Sequence, residues 1–258
     1  MQTTNELKVT YIDHMGTDMT VVNAARASFN NGKEGKVDLV DLRLLRFLAR
    51  GLSHEDWYTL VDLLADTSDR KFIEKVLWDW KTKATHFAPF CHPQISLRIE
   101  ADLGTARQMW RSHVGVSGGD SGYPGWSEES RRYVDESPTF YKPDQWRLRA
   151  ANVKQGSGGG VLGGEVTDYP VLAEMSSRVY CQMIDAGIAP EQARYALLCC
   201  TTTSWTWTGS LMFFARVCWL RQESHAQAEA RQVADQVDKI AAGLFPYAWA
   251  ALHNRDVA

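Results

Sequence analysis

The chain has 258 residues, 45% of them hydrophobic, and a formal net charge of −3, which suffices for one substantial domain with a sizeable core. The slight acidity argues against a general nucleic-acid-binding protein, because such proteins rely on a basic surface for their affinity. The apolar runs are interrupted well before the roughly 18–20 residues that a membrane-spanning helix needs, so we expect no membrane partner.

The cysteines show no spacing typical of a disulfide framework or a zinc site. Their number is odd, which is typical of a reduced, cytoplasmic protein. The first eight residues are polar and no apolar segment follows them, so we expect no signal peptide. We also expect no metal site, because neither a C-x-x-C nor an H-E-x-x-H spacing occurs. The five cysteines are Cys91, Cys181, Cys199, Cys200 and Cys218.

The N-terminal part is predicted to contain a strand followed by several helices. β-Branched and aromatic residues indicate a strand over 9–13. A helix is predicted over 18–28 with Asp18 as its cap, and a periodic leucine pattern predicts another over 38–49. Residues 52–81 are predicted to add one or two helices, which we interpret as an insertion into the domain.

Residues 107–133 concentrate charge around a pliable loop. Alternating apolar residues over 95–99 predict a strand that leads into this stretch. Arg107 and Arg111 precede a glycine-rich loop over 115–125, and Arg131 and Arg132 follow it. Because a buried unpaired charge costs several kcal/mol, such a run is not typical of a core segment. Arginines bind phosphate with forked donors, so the pattern predicts an anion site; a solvated surface with local ion pairs is the alternative.

The C-terminal part is predicted to be mostly helical. Residues 154–164 (K-Q-G-S-G-G-G-V-L-G-G) predict a mobile loop or hinge. A helix is predicted from Asp168, ended by Gly187, and a second helix from Pro190. The longest helical pattern covers 211–238, and Pro246 is predicted to end the C-terminal helical region. The predicted helix from Asp168 carries one apolar face, formed by Leu172, Met175, Val179 and Met183.

Two arginines lie in otherwise apolar sequence, Arg194 before Y-A-L-L-C-C and Arg221 after V-C-W-L. An arginine in such a place must reach solvent, pair with a carboxylate or bind an anion. The sequence pattern alone leaves pairing within the fold and anion binding open.

The charged stretch resembles the signature of the flavin-dependent thymidylate synthases, R-Q-x-x-R-H-R…N-E-x-S-x-R-Y. The resemblance extends from about Asp13 to beyond Gln227 and includes residues 86–92, where H-F-A-P-F-C-H is similar to the family's H-x-T-P-F-E-H. Three features depart from the family: Ser112 and His113 stand where H-R is usual, the spacer to the serine has sixteen residues (114–129), and Ser127 replaces asparagine. The matching residues are Arg107, Gln108, Arg111, Glu128, Ser130, Arg132 and Tyr133.

The resemblance implies an α/β (α+β) fold with a central, twisted, mostly antiparallel sheet wrapped by helices. It implies one domain over residues 1–258 and a homotetramer whose sites are shared between subunits. The element pattern, few strands and many helices, agrees with this class but does not by itself give the topology.

The resemblance also implies a methyltransferase. The enzyme would transfer a one-carbon unit from methylenetetrahydrofolate to C5 of dUMP to give dTMP, with FAD as redox carrier and NADPH as electron source. Arg221 is the implied catalytic residue, because a fixed cation beside N3 lowers the pKa of the ring amide and moves electron density to C5. The implied substrate-binding residues are Gln108, Arg111, Glu128, Ser130, Arg132, Arg194 and Arg221.

The cofactor side departs further from the family. At Ser210, Met212 and Arg216 the family prefers asparagine, arginine and asparagine. The implied cofactor-binding residues are His86, Ala88, Arg111, Ser112, His113, Glu128, Ser210, Met212 and Arg216.

Two other functions remain open. The sequence keeps the arginines that would bind the substrate but departs from the family at the flavin contacts. This combination fits C5-hydroxymethylation of dUMP or dCMP, in which water takes the place of the hydride. A non-catalytic nucleotide-binding homologue fits the altered R-S-H triplet.

Cys91, within F-C-H-P-Q, is interpreted as a small buried thiol, the alternative being a reactive thiolate near arginines.

Overall fold

The computed structural model describes residues 2–50, 62, 65, 68–72, 86–113, 125–150, 157–162, 166, 168–253 and 255. In chain order the strands are β1 (Gln2–Thr4), β2 (Lys8–Met15), β3 (Gln94–Asp102), β4 (Gly125–Glu128), β5 (Thr139–Tyr141), β6 (Arg147–Arg149), β7 (Ser157–Val161) and β8 (Thr202–Ser210). The helices are α1 (Asp18–Arg26), α2 (Leu39–Arg50), α3 (Leu103–Trp110), α4 (Asp168–Asp185), α5 (Pro190–Ala193), α6 (Leu211–Arg221), α7 (Ala228–Leu244) and α8 (Pro246–His253). Short 3-10 turns lie at Ala27–Phe29, Ala88–Cys91, Arg111–His113 and Arg194–Ala196.

The central sheet has the strand order β2-β3-β8-β4, and each strand is antiparallel to its neighbours. β3 and β8 pair along their whole length, from Gln94 opposite Ser210 to Asp102 opposite Thr202. The sheet confirms the predicted class, α/β (α+β) with a central, mostly antiparallel sheet. Two small sheets, parallel β1–β5 and antiparallel β6–β7, lie beside it. One face of β3 and β8 is buried through Ile95, Leu97, Ile99, Trp205 and Trp207.

Helix α6 lies at the centre of the core because it is apolar on nearly every side. It begins directly after β8, where the Ser210 hydroxyl accepts a hydrogen bond from the Phe213 N–H (3.1 Å) and so caps the helix. Its path is therefore fixed at its first turn, and its last residue, Arg221, has a defined position relative to the sheet. The buried residues of α6 are Leu211, Met212, Phe213, Phe214, Ala215, Val217 and Cys218.

Asp18 caps a different helix from the one predicted. Thr17 is the N-cap of α1, and the Asp18 carboxylate accepts hydrogen bonds from the Ala248 N–H (2.7 Å) and the Tyr247 N–H (3.4 Å) at the start of α8. Burial raises the pKa of Asp18, and these two hydrogen bonds oppose the shift. The first N–H groups of a helix need acceptors, and the carboxylate supplies one. Pro246 therefore begins a helix, contrary to the prediction that it ends one.

Two further predictions need correction. The helical pattern over 211–238 is two helices, because α6 ends at Arg221 and α7 begins at Ala228. Within the predicted loop 154–164, Ser157–Val161 forms β7 and pairs with β6. Glycines suit that pairing, since a Cβ at Gly158 would lie 3.4 Å from the Ala150 Cα. The mobility of the whole segment stays a prediction.

Some predictions fall outside the described residues. Of the predicted insertion, 52–81, the structure describes 62, 65 and 68–72, and of the predicted loop over 115–125 it describes Gly125. Among the described helices, none is long and apolar enough to cross a membrane.

Gly209→Ala is expected to destabilise the fold by about 1–3 kcal/mol, because a Cβ there would lie 2.4 Å from Cδ1 of Phe213. The Phe213 ring cannot easily move, since it is buried and packs edge-on against the rings of Trp207 and Phe214 (5.2 Å between centroids in each case). Urea unfolding followed by fluorescence measures the change. Gly243→Ala is the matched control, because nothing lies near its Cβ position, and it should not destabilise. A Gly209→Ala protein as stable as the parent would contradict the packing described here.

Candidate functional site

The Arg221 guanidinium is held by two acceptors on the segment that follows β3. Its Nε–H donates to the Ser112 Oγ (3.1 Å), and its Nη2 donates to the backbone carbonyl of Gln108 (2.7 Å). Gln108 lies on α3, and Ser112, 1% exposed, lies on the 3-10 turn after it. The Asp102 carboxylate caps α3 by accepting the Thr105 N–H (3.0 Å), which fixes the start of that helix. Helix α3, the 3-10 turn after it and the end of α6 thus meet at Arg221.

A second cation, Arg111, lies close enough to influence Arg221. Burial lowers the pKa of Arg221, and the positive charge of Arg111 lowers it further. Arg221 nevertheless stays charged at neutral pH, because arginine does not deprotonate in that range. In the part of the chain that the structure describes, neither arginine forms an ion pair with a carboxylate. The result is a local excess of positive charge suited to an anion.

Arg221 retains hydrogen-bonding capacity for a ligand. A guanidinium has five N–H donors, and the two contacts above use two of them, which leaves three. The side-chain amide oxygen of Gln108 is buried and has no hydrogen-bond partner among the residues that the structure describes. A buried acceptor without a donor is unfavourable, so a donor group on a bound molecule would stabilise this arrangement. Arg221, at the end of α6, therefore offers donors, and Gln108, on α3 and in contact with it, offers an acceptor.

A second group of predicted residues lies on β4 and the turn after it. The Glu128 carboxylate accepts hydrogen bonds from the Thr203 hydroxyl (3.0 Å) and the Trp126 indole N–H (3.3 Å). The Ser130 hydroxyl accepts from the backbone N–H (3.3 Å) and Nε–H (3.2 Å) of Arg132. Arg132 is exposed, and its guanidinium carbon lies 5.0 Å from the centroid of the Tyr133 ring. This group presents a carboxylate, a hydroxyl and a cation at the edge of the sheet.

Trp126 and Thr203 were not identified from the sequence. Both hold Glu128, and Trp126 is itself stacked on Trp205 (4.7 Å between centroids, 20° between planes). The alternation T-T-S-W-T-W-T-G in β8 was the available signal, because it predicts a strand whose odd-numbered residues share one face. Pairing of β4 with β8 then brings Glu128 opposite Trp205.

Arg194 lies apart from both groups within one chain. It is exposed on a 3-10 turn, where its Nε–H donates to the Glu191 carbonyl (3.1 Å). The turn is joined to α4 by a hydrogen bond from the Ser176 hydroxyl to the Ala196 carbonyl (2.6 Å). No hydrogen bond or ion pair among the described residues joins Arg194 to Arg221 or to Glu128.

The residues expected to contact a flavin have different environments. Ser112 and Ser210 are buried with their hydroxyls engaged by Arg221 and by the first turn of α6, and Met212 belongs to the core. Ala88 and Arg111 are exposed, and His86 is exposed and stacked near Phe47 (5.6 Å between centroids). Arg216 is half-buried, and its buried Nε has no hydrogen-bond partner within the described part of the chain. The side chain of His113 lies outside the described residues.

The residues expected to contact a flavin provide part of the donor set that an anionic dinucleotide needs. Arg111 is a cation without a carboxylate partner among the described residues, and Arg216 has a buried donor that no described group satisfies. Such donors suit a diphosphate or the polar edge of a ring system.

Comparison with known proteins gives concordant matches over almost the whole chain. The model of a family described as thymidylate synthase complementing protein matches residues 10–247. A flavin-dependent thymidylate synthase of Pseudothermotoga lettingae is 24% identical over 245 residues, 93% of this chain and 87% of the relative. One of Thermus thermophilus is 27% identical over 247 residues, 95% of this chain and 75% of the relative. The crystal structure of a UMP/dUMP methylase, PolB from Streptomyces cacaoi, bound with 5-Br dUMP, shares the fold with a TM-score of 0.72 at 23% identity, covering 100% of this chain and 99% of that one.

Proposed function

Since the chain belongs to the thymidylate synthase complementing protein family, we propose that it is an enzyme that converts dUMP to dTMP, with methylenetetrahydrofolate as one-carbon donor. The observation that carries the proposal is the Arg221 guanidinium, anchored at two points beside a second cation, with three N–H donors left for a ligand. Curated relatives named flavin-dependent thymidylate synthases over more than nine-tenths of the chain support it.

The proposed nucleotide site combines both groups of residues. Arg132, Ser130 and Arg111 would bind the phosphate and nearby oxygens, because guanidinium groups and hydroxyls are its usual donors. The unpartnered amide oxygen of Gln108 would accept from a donor of the nucleotide. Glu128 is oriented for the same ligand by Thr203 and Trp126. An anion in this place would also offset the repulsion between Arg111 and Arg221.

Arg221 would activate the pyrimidine ring electrostatically. A cation fixed beside N3 stabilises the ionised ring amide and makes C5 more nucleophilic. C5 then bonds to the methylene carbon of the folate and loses its proton. Both bonds from that carbon to the folate nitrogens break with their electron pairs on the nitrogens, which take up the protons lost from C5 and N3, so tetrahydrofolate leaves and a methylene group remains on C5. No protein nucleophile is required. Cys91 is half-buried, and its Sγ lies 3.6 Å from the Phe87 carbonyl, as expected for a packing residue.

The methylene carbon needs one further hydride to become a methyl group, and we propose NADPH as its source and FAD as the cofactor. Arg111, Glu128 and Arg216 are the residues that would hold the flavin, because their donors or acceptors are exposed or unpartnered. A bound flavin supplies the two-electron transfer that no side chain of the protein can perform.

C5-hydroxymethylation of dUMP or dCMP is the second candidate, favoured by one observation. Ser112, Ser210 and Met212 are directed into the protein and engaged there, so three expected flavin contacts have other roles in this chain. If flavin is not used, water adds to the methylene carbon and the product carries a hydroxymethyl group.

We propose that the chain, one domain over 1–258, forms a homotetramer with shared sites. Helix α4 exposes an apolar row, with Leu172, Met175 and Val179 exposed by 50%, 49% and 38%, and Tyr195 beside Arg194 is 78% exposed. A contiguous apolar surface of this kind favours association, and a second copy covering α4 would also receive Arg194. The cytoplasm is the proposed compartment, because all five cysteines are free thiols.

Visible absorption of the purified protein, before and after addition of FAD and then dUMP, tests the cofactor. A bound flavin whose spectrum shifts with dUMP supports methylation. Binding of dUMP without any flavin binding favours hydroxymethylation. The protein is also supplied with folate and each of dUMP, UMP and dCMP in turn. Nucleotide binding without release of the C5 hydrogen in every case would support the non-catalytic homologue and overturn the proposed reaction.

A further inference from the structure

We propose that Ser112 is a positioning residue for Arg221: its hydroxyl fixes the guanidinium so that the free donors face the nucleotide. The inference rests on the proposed function for its catalytic meaning. It gives Ser112 a role different from the flavin contact that the sequence resemblance implies.

The geometry supports this role directly. Ser112 Oγ accepts the Arg221 Nε–H at 3.1 Å, and Ser112 is 1% exposed, so its side chain is directed at Arg221 and shielded from a ligand. The second anchor, the Gln108 carbonyl at 2.7 Å from Nη2, is only four residues earlier on the same segment. Two acceptors on two different guanidinium nitrogens fix both the position and the plane of the group.

Charge explains why two anchors are needed. Arg221 is half-buried, and Arg111 repels it, as the lowered pKa of Arg221 reflects. A guanidinium in that setting would otherwise move toward solvent, where it is better hydrated and farther from the like charge. With the Ser112 hydroxyl removed, the Gln108 carbonyl alone would hold the group, and its plane could rotate about that single contact.

The test is a double-mutant cycle on release of the C5 hydrogen from dUMP. Ser112→Ala should lower kcat/KM by about tenfold to a hundredfold, chiefly through kcat, because it removes a hydrogen bond to a charged group that acts on the reacting ring. Ser112→Thr should restore most of the rate, since it retains the hydroxyl. In an Arg221→Ala background, Ser112→Ala should have no further effect. Equal losses with and without Arg221 would overturn the proposal.

A chemical readout keeps the inference testable if dUMP is not the substrate. Modification of Arg221 by butanedione, followed by peptide mass spectrometry, should be about tenfold faster in Ser112→Ala than in the parent. Ser96→Ala is the control, because it removes a hydroxyl hydrogen bond (2.8 Å, to Thr208) on the sheet, away from Arg221. Equal modification rates in the Ser112→Ala and Ser96→Ala proteins would overturn the positioning role. If modification is faster in Ser112→Ala but the parent does not turn over dUMP, the result counts only against the proposed reaction.

Discussion

Arg221→Ala is expected to lower kcat/KM for dUMP by about a hundredfold to a thousandfold while the protein remains folded. The physical reason is the loss of a fixed cation where negative charge develops on the ring. The fold should survive, because Arg221 is the last residue of α6, whose core contacts lie in the preceding turns. Removal of one half-buried guanidinium also relieves its repulsion with Arg111.

Arg221→Lys separates charge from geometry. Lysine keeps the positive charge but cannot contact Ser112 and Gln108 with two nitrogens at once, so most of the loss should persist. Arg43→Ala, at an exposed position on α2, is the control for loss of one arginine and should retain parental kinetics. Steady-state release of the C5 hydrogen is the measurement. An Arg221→Ala protein within a fewfold of the parent would remove Arg221 from the mechanism.

Co-expression of Arg194→Ala with Arg221→Ala is expected to restore activity that neither variant has alone. Within one chain, no hydrogen bond or ion pair between described residues joins Arg194 to either group of site residues, and Arg194 lies beside the exposed apolar row of α4. If Arg194 serves a site in a neighbouring subunit, a hybrid assembly contains some sites with both arginines intact. Random mixing of two kinds of protomer gives about one quarter of such sites, so about a quarter of parental activity should return.

Two differently tagged chains, purified through both tags, provide the hybrid assemblies for this measurement. The homogeneous variants should each lose at least about a hundredfold, because each lacks a cation that would contact the anionic substrate. Met175→Asp, placed in the centre of the α4 row, should shift the protein to smaller species in light scattering. Hybrids as inactive as the homogeneous variants would contradict a shared site.

The sequence predicted the class of fold and the charged segments but missed the central strand β8. Residues 204–209 alternate threonine or serine with tryptophan or glycine, a pattern typical of a half-buried strand, yet they stand between strongly helical segments. The break between α6 and α7 was missed for a related reason. Residues 222–227 (Q-E-S-H-A-Q) contain neither glycine nor proline, so no residue typical of a helix break separates the two helices, and the turn there is visible only in three dimensions.

Roles that depend on long-range contacts could not be read from local patterns. Asp18 precedes a helix and so looks like its cap, but its carboxylate meets Ala248, 230 residues away. The family resemblance implies a cofactor contact for Ser112, and only the meeting of α3 with α6 shows that its hydroxyl accepts a hydrogen bond from Arg221. The apolar row of α4 was predicted correctly as one face, but periodicity does not tell whether a face packs inside its own chain or remains exposed.

The mass of the product formed from dUMP tests the central claim most directly. The protein is incubated with dUMP, methylenetetrahydrofolate, FAD and NADPH, and the masses of the separated nucleotides are determined by mass spectrometry. One parallel reaction lacks NADPH, and another contains the Arg221→Ala protein in place of the parent. The account predicts dTMP in the complete reaction and a strong loss of it in both parallel reactions. Unchanged dUMP in the complete reaction, or a hydroxymethylated nucleotide formed equally well without NADPH, would contradict it.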